Sequence, residues 1–370
     1  MLLKNNMKDI IFPMKYYDLK KIKEYKADYN LIIGERSNGK TYALLKEIVK
    51  NFVENKKEGA YIRRWKDDII GKRAESVFSS LVENDEISKI TKGEFTNVIY
   101  SRGSWYLTYF DETKHKYMAN PQPFCRAFAL SDVEHDKSTS YPNVDIIVFD
   151  EFITRMYYLP DEFVIFMNVL STIIRDRSNI KIYMLANTVN KFCPYFDEMG
   201  LYNISTQEQG TIDIYSMGEN LKIAVEYCGN KLIKKSNKYF AFNNPRLNMI
   251  TGGAWEIALY KHLPQGTKIK PKNILYTFYI KFSSKIVGCD VVQIDDNIFV
   301  FCRSQTKEIS NSIVYTLDYT IDINTRKSFF NPIDKRDKYI RDLYMANRFF
   351  YQSNDIGEIV NNYIKQVQRG

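Results

Sequence analysis

Gly34-Glu35-Arg36-Ser37-Asn38-Gly39-Lys40-Thr41 fits G-x-x-x-x-G-K-[ST], the phosphate-binding P-loop. The flanking residues agree with the pattern. A short apolar run, Tyr29-Asn30-Leu31-Ile32-Ile33, precedes the octet, and Leu44, Leu45, Ile48, Val49 and Phe52 recur at helical spacing after it. Strand, glycine loop and amphipathic helix are therefore expected in that order. Each residue type has a physical task. The glycines permit backbone angles that turn successive N–H groups inward, a nest for an anion. The helix that opens at Lys40 adds its N-terminal dipole. Lys40 is expected to reach the β- and γ-phosphates of ATP, and the Thr41 hydroxyl to sit on Mg²⁺.

A second string lies about 110 residues further on: Asp145-Ile146-Ile147-Val148-Phe149-Asp150-Glu151. An apolar strand of this kind can deliver a carboxylate to the sheet edge that carries the P-loop. Asp150 is then placed to hold Mg²⁺ through water, and Glu151 to polarise the water that attacks the γ-phosphate. No N-K-x-D string reads a guanine base, so the pair points to an ATPase rather than a small GTPase. Three weaker elements accompany it. Leu185-Ala186-Asn187-Thr188 ends the next strand, where Asn187 is either a γ-phosphate sensor or a turn residue. Arg175-Asp176-Arg177 follows a helix opening near Asp161. Its arginines either serve that helix's C-terminus or supply a finger to a neighbour's site, and Arg177 is the preferred finger. Arg63-Arg64 closes the strand Ala60–Arg64 and is either a grip on the catalytic glutamate, a partner contact or a solvated strand end.

Strand and helix alternate through residue 200, which implies an α/β fold with a largely parallel sheet and helices on both faces. Val98–Phe110 reads as a hairpin, and Pro123–Leu130 and Ile180–Ala186 as strands. The texture changes after residue 200. The expected division is 1–200 for the ATPase domain, 201–265 for a small linker region and 266–370 for a C-terminal domain. That last part has a strand-rich run over 273–303 and a helical stretch over 334–367.

Composition bounds the remaining possibilities. The chain has 370 residues, 53 Lys and Arg against 44 Asp and Glu, and a net charge of +9. Residues 201–370 hold 23 basic and 16 acidic side chains, a net of +7, so a polyanion is most readily met there. No apolar run approaches the roughly 20 residues needed to span a bilayer. The five cysteines are scattered without a C-x-x-C pair and the three histidines are isolated, a pattern of reduced thiols rather than a disulfide scaffold or zinc cage.

These strings together resemble the DNA-packaging (encapsidation) ATPases of small short-tailed phages of the phi-twenty-nine type. The resemblance rests on Asn30–Gly34 running into the P-loop, Ala60-Tyr61-Ile62-Arg63-Arg64-Trp65, and Lys137-Ser138 with Tyr141-Pro142-Asn143-Val144. It continues in Ile147–Phe152, Arg175-x-Arg177, Asn187 and Cys193-Pro194-Tyr195-Phe196. It covers residues 25–200 well and becomes faint beyond. It implies a P-loop NTPase of the additional-strand (ASCE) type, akin to the ATPase half of large terminases. A C-terminal domain resembling an inactive RNase H-like nuclease is implied as well. By the same resemblance the chain acts as a homo-oligomeric ring, a pentamer, on the portal vertex of an empty prohead; a finger supplied in trans ties assembly to catalysis, so a monomer is expected when free. It drives double-stranded DNA inward with ATP and Mg²⁺, a phage-encoded structural RNA is a further partner, and no membrane is involved. Its place is the host cytoplasm, docked transiently on the prohead and absent from the mature virion. The candidate first C-terminal strand, Ile274–Phe282, contains no acid, and Asp290, Asp295 and Asp296 come later, which argues against cleavage. The alternatives are a terminase with an active metal-dependent nuclease, a P-loop ATPase remodelling a protein client, and a nucleotide-gated ring component that scarcely turns over.

Overall fold

The computed structural model describes residues 16–135, 140–154, 158–188, 193–218, 220–229, 260–282, 285–307, 311–318 and 322–368. Lys137-Ser138 and residues 219 and 230–259 of the expected linker lie outside these. The described residues form two compact units, each with its own sheet.

The first unit is built on a ten-stranded sheet. In chain order its strands are β1 (Tyr29–Gly34), β2 (Glu58–Arg63), β3 (Asn97–Ser101), β4 (Ser104–Asp111), β5 (Lys116–Ala119) and β6 (Cys125–Ala129). β7 (Val144–Asp150), β8 (Lys181–Asn187), β9 (Ile212–Met217) and β10 (Leu221–Tyr227) complete it. The order across the sheet is β3-β4-β6-β2-β7-β8-β1-β10-β9, with β5 on β4. All pairings from β6 through β10 along this order are parallel, and the hairpins at either end are antiparallel. β8 lies between the P-loop strand β1 and the acid-bearing strand β7.

Side-chain parity puts helices on both faces. Ile32, Tyr61, Val148 and Leu185 share one buried cluster with Leu44, Leu45, Ile48, Val49 and Phe52 of the helix Lys40–Asn55. Phe149, of opposite parity to Val148, packs on Phe166 of the helix Glu162–Ile174 with ring centroids 5.2 Å apart. The helix over 40–55, the strands and the 97–111 hairpin stand as read from the sequence, within a few residues. One boundary is corrected. β9 and β10 follow residue 200, yet Ile223–Tyr227 pairs in parallel with Tyr29–Ile33, so the first sheet does not end near residue 200.

The second unit carries six strands: β11 (Ile274–Phe282), β12 (Lys285–Ile294), β13 (Asn297–Gln305), β14 (Val314–Thr316), β15 (Thr325–Arg326) and β16 (Phe349–Tyr351). β11, β12 and β13 form an antiparallel meander; β14 and β15 add in parallel beside β11, and β16 in parallel beside β13. The expected helical stretch 334–367 is two helices, Lys335–Met345 and Asn354–Val367, with β16 between them. Asp334 caps the first through the N–H groups of Arg336 and Asp337, and Ser353 caps the second through Ile356. Ile340, Leu343, Ile356, Ile359, Val360 and Ile364 close the core over Phe278, Val291 and Val300.

Candidate active site

Because β2, β7, β8 and β1 run in parallel, their C-terminal ends emerge along one edge. Registers place Gly34 beside Asn187, and Asp150 beside Leu185. The edge therefore gathers the P-loop, Asp150, Glu151 and Asn187, which the sequence separates by up to about 150 residues. A cleft of about 200 Å³ opens there, lined by Ser37–Tyr42, Asp150, Glu151, Ala186 and Asn187.

The loop is shaped by backbone. Gly39 has φ +93° and caps the helix in the left-handed region, where glycine is at no disadvantage. Gly34 answers to space instead: a Cβ there would stand 2.7 Å from the Cβ of Cys228. Glu35 is buried, whereas Arg36 and Ser37 are exposed at the tip, Ser37 with φ +60°. The Asn38 side chain accepts from the Lys40 N–H at 3.2 Å. Lys40, only 6% exposed, donates to the carbonyls of Glu35 at 2.8 Å and Gly34 at 3.4 Å and to Asn187 Oδ1 at 3.4 Å. Its ammonium group is thus held over the loop, in contact with the strand-end amide the sequence singled out.

Thr41 Oγ1 donates to the Asp150 carboxylate, 3.2 and 3.3 Å from its two oxygens. A hydroxyl and a carboxylate side by side at the mouth of a phosphate loop are hard oxygen donors, the set that suits Mg²⁺ completed by water and phosphate oxygens. The residues present fit that ion. Asp150 has a further partner that sequence reading missed: Tyr61, buried on β2, donates its phenol to Oδ2 at 2.7 Å. Burial first, and then the neighbouring Asp150 charge, hold the Tyr61 pKa well above the ordinary phenol value.

Glu151 sits just past the strand with φ +62°, a conformation that costs a non-glycine residue energy and clusters at functional sites. Two arginines of β2 and its end hold it. Arg63 pairs with the Glu151 carboxylate at 2.7 Å and lies 3.8 Å from Asp150 and 3.5 Å from Asp68. Burial opposes its charge, but Tyr61, Glu151 and Asp150 outweigh that and raise its pKa above the guanidinium norm. Arg64, buried, donates to the carbonyls of Glu151 at 3.1 Å and Phe152 at 2.7 Å. Of the readings open for Arg63-Arg64, the grip on the glutamate is the one the structure displays, with Arg63 on its carboxylate and Arg64 on its backbone.

Of the two readings open for Arg177, the one on display is service to the helix C-terminus. Its guanidinium is spent inside its own unit on five carbonyls: Tyr141 at 3.0 Å, Pro142 at 3.0 Å, Val144 at 2.5 Å, Ile173 at 2.5 Å and Ile174 at 3.3 Å. It ties the end of the Glu162–Ile174 helix to the turn that leads into β7. Burial lowers its pKa, against the pull of Asp145. In this arrangement the side chain clamps the helix end to the turn before β7. Arg175, exposed and with φ +48°, stands two residues before it.

A family model described as podovirus DNA encapsidation protein (Gp16) matches residues 13–217, more than half of the chain. The chain is 29% identical over 187 residues to a DNA packaging protein of Bacillus phage B103, covering 48% of this chain and 49% of that protein. It thus spans about half the length of the curated relatives it matches. Two solved structures are similar in fold. One is the Phi-28 gp11 DNA packaging motor (TM-score 0.57, 18% identity, 96% of this chain and 98% of that one). The other is the bacteriophage Phi-29 viral genome packaging motor assembly (TM-score 0.58, 18% identity, 95% and 99%). Their likeness extends over both units described above.

Proposed function

The chain belongs to the podovirus DNA encapsidation protein (Gp16) family, and from that premise we propose that it is an ATP-driven motor that moves double-stranded viral DNA into a prohead. The observation that carries the reading is the contact of Thr41 with Asp150 beside Lys40 and Glu151 around one cleft. The loop N–H groups and Lys40 bind the triphosphate, and Lys40 exchanges its carbonyl partners for phosphate oxygens. Thr41 and Asp150 would hold Mg²⁺, which would supply positive charge to offset that of the phosphates. Glu151 orients the attacking water and takes its proton, for which its carboxylate must leave Arg63. Asn187 senses the γ-phosphate, a role its contact with Lys40 supports.

In the proposed ring, a pentamer on the portal vertex that forms from free monomers, the exposed Arg175 takes the finger role in trans in place of Arg177, which is engaged with carbonyls of its own chain. The basic residues of 201–370 meet DNA phosphates or a structural RNA without reading sequence, so binding weakens steeply with salt. The C-terminal part, 266–370, is read as an RNase H-like domain without nuclease activity. Two features support this: β11 carries no acid, and Asp290 is neutralised by Arg303 at 2.7 Å while accepting from Thr277 at 2.7 Å. Action in the host cytoplasm and absence from the mature virion follow from this role. Mg²⁺-dependent ATP hydrolysis with and without double-stranded DNA tests the proposal. DNA stimulation that is lost in Glu151→Gln and in Arg175→Ala, and restored when the two are mixed, supports a ring-coupled motor. Hydrolysis indifferent to DNA at low salt overturns the reading in favour of a protein client.

A further inference from the structure

We propose that Tyr61 is a positioning residue of the nucleotide site, holding the Asp150 carboxylate in the orientation that serves Thr41 and the divalent cation. The inference rests on the proposed ATPase reading of the cleft. Tyr61 lies on β2, not on β7 or the loop, and is 3% exposed. Its ring is fixed edge-on against Trp105, centroids 5.9 Å apart, so the phenol has little freedom to swing away. The oxygen donates to Asp150 Oδ2 at 2.7 Å, while Thr41 bridges both carboxylate oxygens at 3.2 and 3.3 Å. Asp150 is itself 7% exposed, so few water molecules compete for its outer lone pairs. A carboxylate has two oxygens and a soft terminal torsion. Tyr61 saturates the outer lone pair of one of them and leaves the others facing Thr41 and the cleft.

β2 thereby contributes two same-face side chains two residues apart, Tyr61 to Asp150 and Arg63 to Glu151. One strand that bears neither acid sets the attitude of both. Partners that orient a metal-binding group in this way are worth about 10–100-fold in metal affinity.

The test is Tyr61→Phe, which keeps the ring and its packing on Trp105 and removes one hydroxyl. Binding of a fluorescent ATP analogue is titrated twice, in EDTA and against rising Mg²⁺, and the Mg²⁺ concentration at half-maximal enhancement is read. The expected result is an unchanged affinity in EDTA and a shift of about tenfold or more in the Mg²⁺ midpoint. Asp150→Asn, which removes the charge itself, should abolish the Mg²⁺ response in the same assay. Equal weakening in EDTA and in Mg²⁺ would mean a merely structural tyrosine, and an unmoved midpoint would mean no role at all; either overturns the inference. A wild-type chain that binds nucleotide without any Mg²⁺ response would overturn the reading of the cleft itself and Tyr61 with it.

Discussion

Replacing Arg177 with alanine should cost stability and leave a neighbour's chemistry untouched. The guanidinium donates to five carbonyls, on both the end of a helix and the turn before β7. Buried bonds from a charged donor are worth about 1.5–3 kcal/mol each. This side chain is only partly buried, and water replaces part of what is lost, so the sum is discounted to about 3 kcal/mol. For a unit of this size each kcal/mol is about 2–4 °C, giving a fall of roughly 6–12 °C in thermal midpoint. Near-ultraviolet circular dichroism reads it, and Arg177→Lys, which keeps the charge and one donor group, should recover about a third of the loss. In the mixing assay, Arg177→Ala should fail to complement Glu151→Gln beyond what its folded fraction allows, while Arg175→Ala complements fully. An Arg177→Ala chain that melts within about 2 °C of wild type, yet loses hydrolysis and regains it on mixing with Glu151→Gln, would refute the clamp and restore the finger.

Glu151→Gln should lower hydrolysis about 10²–10⁴-fold while nucleotide affinity stays within about threefold, read by phosphate release and equilibrium binding. Gly34→Ala should push a Cβ into Cys228 Cβ at 2.7 Å, cost about 1–3 kcal/mol and weaken nucleotide binding; adding Cys228→Gly, which removes that atom, should return much of both. In the second unit, the hydrogen bond from Arg326 and then the Asp337 N–H lower the Asp334 pKa from 3.8 to about 2. A carboxylate depressed in the folded state adds stability that is full above about pH 4 and is lost as pH falls toward 2. Acid unfolding followed by tryptophan-independent far-ultraviolet signal should therefore lose part of its slope between those values in Asp334→Asn, along with the cap of the Lys335–Met345 helix.

What could be read from contiguous residues was local. The octet Gly34–Thr41, the helix Lys40–Asn55 and the strand ending in Asp150-Glu151 are each written in one run, because a phosphate nest, a helical stripe and a strand-end acid are properties of neighbours along the chain. Asn187 was legible for the same reason, and its contact with Lys40 follows once parallel strands end at one edge.

The misreadings share a cause. Arg177 was readable as an arginine serving its helix's end, on the Ile173 and Ile174 carbonyls, but nothing nearby in the chain announces carbonyls 33–36 residues away. Tyr61 looks like one more aromatic of a buried strand; its role depends on a carboxylate 89 residues on, brought beside it by the pairing of β2 with β7. Ile223–Tyr227 follows a change of texture that suggests a boundary, yet its hydrogen-bond partners are Tyr29–Ile33. Phe349–Tyr351 is too short to declare itself between two helices and is a strand only because β13 offers an edge. Residue order alone thus sets which chemical groups exist and the local backbone that presents them. Strand pairing, made by main-chain groups common to every residue and closed over long loops, selects which of those groups meet.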